Sequence, residues 1–132
     1  MEKTKERGIP LRWFIDRELA KRNQWLRDEL NKRYPDKGGV FIHITSGYRS
    51  PEYADDLRER GYRVAEFSQH LWGKATDIQC YWFDDGEKIL IPAVVIISML
   101  KSKFQWGGIG PVDEYTTHHD TRNAVGWIDI TY

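Results

Sequence analysis

"SQHLWGKATDIQCYW", residues 68–82, decides how the chain is read. Its second half alternates. Ala75, Asp77 and Gln79 point one way, and Ile78 and Cys80 the other. A period of two makes a strand with one apolar face. Its first half sets His70 seven residues before Asp77, with Gly73 between them. A solvated loop has no need of that arrangement. A metal site could use it, with His70 reaching in from the loop and Asp77 from the strand. On spacing alone, a loop histidine beside a hydrogen-bonded aspartate is the commoner outcome.

Working outward, "VFIHITS" (40–46) alternates as well, with Val40, Ile42 and Ile44 on one face and Phe41, His43 and Thr45 on the other. Residues 15–34 place Ile15, Leu19, Leu26, Leu30 and Tyr34 at helical spacing, with charges between them that read as a solvated face. "YPDKGG" (34–39) stops that helix. "SPEYADDLRERG" (50–61) reads as a short helix, with Ser50 as cap, Pro51 in the first turn and Gly61 past the end. Residues 92–104 fit a helix by length and by Lys101 and Lys103 at its end, although Val94 to Ile97 also suit a strand. "WGGIG" (106–110) reads as a turn. "THHDTR" (117–122) and "GWIDITY" (126–132) read as two strands of a terminal hairpin joined at "NAVG". The sum is α+β: one domain over 1–132, with a small, mostly antiparallel sheet and flanking helices.

Composition narrows the function. The 132 residues carry 20 Lys+Arg and 20 Asp+Glu, so the net charge is zero. A general nucleic-acid or membrane-surface binder would show a basic excess. Cys80 is the one cysteine, which excludes an intramolecular disulfide and a cysteine-based zinc site. Any metal must be held by histidine and carboxylate. The N-terminal stretch is charged and shows no secretory signal, and the longest apolar run, "ILIPAVVIISML", is interrupted by Pro92. Cys80 suits a buried apolar position, Asp84 and Asp85 a turn, His43 a partly buried strand position, and Trp72, Trp106 and Trp127 core or rim packing.

Further metal donors lie in "TTHHDTR" (116–122), as His118, His119 and Asp120. Strand alternation sends the two histidines to opposite faces, so only one can join Asp77. Alternation alone leaves open which of the two it is; His118 shares a face with Asp120. A His₂Asp set leaves a fourth position open, as catalytic zinc sites do.

"SGYRS" (46–50), "SQHLWGKATD" (68–77) and "GGIG…THHDTR" (107–122) follow one another in an order that resembles the M15 peptidases. These are the zinc D-Ala-D-Ala carboxypeptidases and peptidoglycan endopeptidases of bacteria and phages. The likeness is greatest to the short branch with an SGYRSP…SxHxxGxAxD…HxDxR pattern, and it runs from about residue 40 to the C-terminus and more loosely over the N-terminal helix. It implies a hedgehog/DD-peptidase-like fold and one Zn2+ held by His70, Asp77 and His118. It also implies that Arg49 stabilises the developing oxyanion or binds the substrate, and that Ser46, Tyr48 and Ser68 shape the substrate side. Many members carry an acidic residue three positions before the third ligand. Here that position is Tyr115, or Thr116 if His119 were the ligand. The proton-handling candidates are therefore Asp120, which could instead orient His118, and Glu114.

The activity implied is zinc-dependent hydrolysis of a peptide bond in a peptidoglycan stem or cross-bridge, as carboxypeptidase or endopeptidase. A monomer with no nucleic-acid or membrane partner is expected. A phage-type endolysin, made in the cytoplasm and reaching the wall at lysis, is the expected setting. Two alternatives stand beside it. One is a non-catalytic, zinc-containing wall-binding or virion module, favoured by the missing upstream acid. The other is a metal-free structural domain.

Overall fold

The computed structural model describes residues 16–46, 59–60 and 73–131. Helix α1 spans Arg17–Arg33. Asp16 caps it by accepting from Leu19 N at 3.2 Å, and Lys32 and Arg33 sit where the helix dipole favours cations. Its buried stripe is Leu19, Arg22, Leu26 and Leu30. Arg22 departs from the solvated-face expectation, because its side chain is fully buried. Aromatic rings solvate the guanidinium, with centroids of Trp106 at 4.3 Å and Phe104 at 4.8 Å. Its Nη1 donates to the Trp106 carbonyl at 2.7 Å, and its Nε to Glu18 Oε1 at 3.2 Å.

A 3-10 turn at Pro35–Lys37 leads to β1 (Phe41–Ser46). Strand β2 (Ala75–Asp84) turns at Asp85-Gly86 into β3 (Glu87–Leu90), so the turn expected over "DDGEK" (84–88) narrows to two residues, and Asp84, Glu87 and Lys88 belong to the strands. Both turn residues have positive φ, 53° and 80°, as a tight two-residue hairpin requires. Helix α2 (Ala93–Lys103) follows, then β4 (Gly107–Pro111), β5 (Thr117–Asp120) and β6 (Trp127–Asp129). The expected "SPEYADDLRERG" helix lies almost wholly outside the described residues.

The sheet runs β1-β2-β5-β4-β6, with β3 also on β2. Neighbours are antiparallel except β4 and β6, which are parallel. Two segments depart from what their local pattern suggests. "THHDTR" and "GWIDITY" do not form a hairpin. Strand β5 already has β2 on one edge and β4 on the other, so the returning chain adds to the far edge of β4. "WGGIG" is not a turn but leads into the buried strand β4. Its glycines answer to space. A Cβ on Gly108 would strike the Asp120 carboxylate, and one on Gly110 would strike the Ile130 carbonyl.

One face of the sheet carries Ile78, Cys80 and Ile109 against Leu26 and Leu30 of α1 and Ile96, Met99 and Leu100 of α2. Cys80 packs there as a small apolar residue, and burial pushes its thiol up to about 12. Every second residue of β2 and β5 points away from this core.

Gly110→Ala would force backbone from backbone between β4 and residue 130, and should cost about 3 kcal/mol. Gly86→Ala has open space and only an unfavourable φ to bear, and should cost about 1 kcal/mol. Urea unfolding midpoints measure both. Equal losses would mean that the β4 spacing relaxes freely.

Candidate functional site

Strands β2 and β5 pair with Asp77 opposite His118 and Ala75 opposite Asp120. Cross-strand partners share a face, so three polar side chains gather on the side away from the helices. His118 Nδ1 lies 3.0 Å from Asp77 Oδ1, and its Nε2 lies 2.7 Å from Asp120 Oδ2. All three residues are buried, Asp120 completely.

Asp120 is the fixed member. Its Oδ1 accepts from Gly108 N at 2.8 Å, Arg122 N at 3.1 Å and Arg122 Nε at 2.8 Å. Its Oδ2 accepts from Arg122 Nη2 at 2.6 Å and faces His118. Burial alone would raise its pKa, but the bonds from His118 and Arg122 hold it well below the ordinary carboxylate range. It is an anion whose lone pairs are occupied. Of the two roles open to Asp120, the geometry fits orienting His118 and leaves little capacity to take a proton.

The consequence falls on His118. A neutral imidazole carries one proton. With that proton on Nε2 toward Asp120, the Nδ1 lone pair faces the Asp77 carboxylate. Lone pair and anion repel unless a cation stands between them. A second proton can do this: burial lowers the His118 pKa, but hydrogen bonds and charge from Asp120 and Asp77 outweigh it and raise the net value. A divalent metal can do the same, since two metal–donor bonds of about 2 Å leave the donor atoms about 3 Å apart. Nδ1 of His118 and the Asp77 carboxylate therefore suit two positions of a metal shell. Among the described residues no group of three or more such donors converges. The expected third ligand, His70, lies outside the described residues, as do Arg49, Tyr48, Ser68 and Trp72.

His119 points to the opposite face. Its Nε2 lies 2.6 Å from Asn23 Oδ1 and 3.1 Å from Thr76 Oγ1, and Asn23 Nδ2 also donates to Thr76 at 3.3 Å. Its Nδ1 is buried with no hydrogen-bond partner. Burial, then the nearby His118 and Arg22 charges, bring its pKa down to about 3, so it is neutral. Thr76 and His119 adjoin Asp77 and His118 in their strands. The cluster therefore clamps α1 directly behind Asp77 and His118. Nothing in the sequence near residue 119 points to Asn23, which lies 96 positions away. Arg122 was visible only as the last residue of "HHDTR", with no role attached.

The remaining candidates are dispersed. Ser46 is opposite Asp77 across a register shift at the end of β1, and Thr45 Oγ1 donates to the Asp77 carbonyl at 3.1 Å. Glu114 is exposed in the loop between β4 and β5, where its backbone carbonyl accepts from Ala93 N at 2.8 Å. No hydrogen bond joins its carboxylate to Asp77 or His118. His43 is exposed, not partly buried, because it projects from β1 to the sheet face away from the helices, opposite Gln79. Trp127, with its ring 5.6 Å from the Arg22 guanidinium, packs as expected, as does Trp106.

His119 makes stability depend on pH. Above pH 6.5 it is neutral in the folded and the unfolded chain alike. Below that, the unfolded chain takes a proton that the folded chain refuses until about pH 3, so stability falls as the pH falls through this window. At about 1.4 kcal/mol per pH unit, the loss attributable to His119 is about 2 kcal/mol at pH 5. In chelator-treated protein, His119→Gln should lower stability at pH 7, yet lose about 2 kcal/mol less than wild type between pH 7 and pH 5. Parallel losses in the two proteins would show that His119 does not resist protonation.

No curated protein and no solved structure shows significant similarity to the chain. A family model described as peptidoglycan L,D-endopeptidase MepK, among the M15 peptidases, matches residues 11–121, a span that takes in β2, the β4–β5 pair and the Asp77–His118–Asp120 cluster. The chain belongs to this peptidase family, whose members are peptidoglycan hydrolases.

Proposed function

We propose that the protein is a zinc-dependent endopeptidase that hydrolyses a bond between L- and D-configured centres in the peptide part of peptidoglycan. One observation carries the reading: His118 Nδ1 faces Asp77 Oδ1 at 3.0 Å while Asp120 and Arg122 hold the far side of the ring. Asp77 and His118 supply two ligands, and His70, by resemblance, the third. A zinc ion held there would supply Lewis-acid polarisation of the scissile carbonyl and a water of lowered pKa. Asp120 keeps the His118 proton on Nε2, so the lone pair stays on Nδ1. Arg122 keeps Asp120 ionised. Glu114, exposed beside β5, is the remaining acidic candidate to accept a proton, and Arg49 is assigned to the oxyanion by resemblance alone. The substrate sets the place of action at the cell wall, and a phage or prophage lysis enzyme is the setting proposed.

A second reading, a zinc-containing wall-binding module without turnover, is favoured by Tyr115 standing where many relatives carry an acid and by the saturated Asp120 carboxylate. Mass spectrometry of peptidoglycan digested by zinc-loaded protein separates the two. New termini at an L–D bond support the peptidase, whereas co-sedimentation with the wall and no released fragment supports the module.

His118→Ala should retain under about one tenth of the wild-type metal and lose hydrolysis, while His119→Gln keeps its metal. Asp120→Asn should weaken metal affinity about 10- to 100-fold and recover activity with excess zinc, as an orienting residue would. Full activity in His118→Ala would remove this site from consideration.

A further inference from the structure

The sheet face that carries Asp77 and His118 continues along β2 into a cluster of three aromatic rings, of which Phe41 and Phe83 are exposed and Tyr81 half-buried. Phe41 is opposite Tyr81, and Phe83 is opposite Lys88. Residues 77, 79, 81 and 83 project to this one side. Phe41 is 47% and Phe83 50% exposed. The three rings form a triangle, with centroids 5.8 Å apart for Phe41–Tyr81, 6.0 Å for Phe41–Phe83 and 5.6 Å for Tyr81–Phe83. Lys88 Nζ stands 4.2 Å from the Tyr81 centroid. The core lies on the opposite face, so folding does not call for phenylalanine at 41 or 83. A contiguous exposed patch of this kind marks a binding surface.

We infer that Phe41, Tyr81 and Phe83 form a stacking platform for an N-acetylated hexosamine of the glycan strand. The inference rests on the peptidoglycan reading above and extends it to where the sugar sits. Distance selects this occupant. Four residues of β2 at about 3.3 Å each put Tyr81 roughly 13 Å from Asp77. An extended peptide of three or four residues spans about 10–14 Å. A stem peptide hangs from a sugar at its first residue, so a bond held at Asp77–His118 places that sugar over the aromatic triangle. A pyranose offers a flat C–H face to a ring and polar groups at its edge. His43 and Gln79, whose Nε2 also donates to Thr116 Oγ1 at 2.9 Å, lie opposite one another between platform and site, and Lys88 Nζ, held over the Tyr81 ring, adds a donor beside Phe41 and Phe83.

The test compares wild type with the double variant Phe41→Ser/Phe83→Ser on two substrates. One is the disaccharide-peptide fraction released by a muramidase; the other is the same peptides freed of sugar by an amidase. The variant should raise KM for the sugar-bearing substrate about tenfold with kcat within about twofold, and leave the free peptide unaffected. Equal effects on both substrates, or none on either, would overturn the platform. If wild type cleaves neither substrate, the peptidase reading fails, and the platform is judged by binding alone. Titration with chitotetraose should then shift the ring NMR signals of Phe41, Tyr81 and Phe83 in wild type, and absence of shifts overturns it. A wild-type dimer in sedimentation that the variant converts to monomer would also overturn it, because the face would then belong to a second copy.

Discussion

The antiparallel register of β2 against β5 is the constraint on which the rest depends. Asp77 meets His118 because Ile78 meets Thr117 and Ala75 meets Asp120. A slip of one residue would turn Asp77 into the core and bring Ile78 to the open face. The register is held on both sides of the sheet. On the core side Ile78 packs beside Ile109, and His119 reaches Asn23 and Thr76. On the open side Asp120 lies across Gly108 and accepts a hydrogen bond from its amide.

Two adjacent histidines thus live in opposite electrostatic worlds. His118 stands between two carboxylates and attracts positive charge. His119, one residue on, is enclosed by apolar and neutral groups with the Arg22 guanidinium nearby, and refuses it. The strand's two-residue period separates these environments by the thickness of one sheet. Burial without an anion lowers a histidine's pKa, and a pair of anions reverses that. A cation offered to this protein therefore has one of the two rings to choose, with its orientation already set by Asp120 and Arg122.

The glycines of β4 belong to the same logic. A carboxylate can lie flat against a neighbouring strand only where that strand has no side chain, and Gly108 provides the place. Further along the same face of β2 the side chains lengthen from aspartate through glutamine to aromatic rings. A polar, buried end is thereby joined to an open, apolar one on a single rigid strand.

Much of this was legible from residues alone. The alternation of 75–80 and of 117–120 determined which side chains share a face, and with it the separation of His118 from His119. The helix at 93–103 was readable from its length, its proline start and its lysines. The M15 motifs, read in order, determined the family. Asn23, the burial of Arg22, and the use of Arg122 were not readable, because each depends on contacts between segments distant in sequence or on a fork geometry that spacing does not express. "WGGIG" suggested a turn because local propensity counts glycine as freedom. The tertiary structure makes it a strand, because there glycine is the only residue that leaves room for Asp120 and the Ile130 carbonyl. The hairpin expected at the C-terminus failed for a related reason. Local pattern says that two segments are strands, whereas partner choice depends on which edges remain unpaired once the whole sheet has formed.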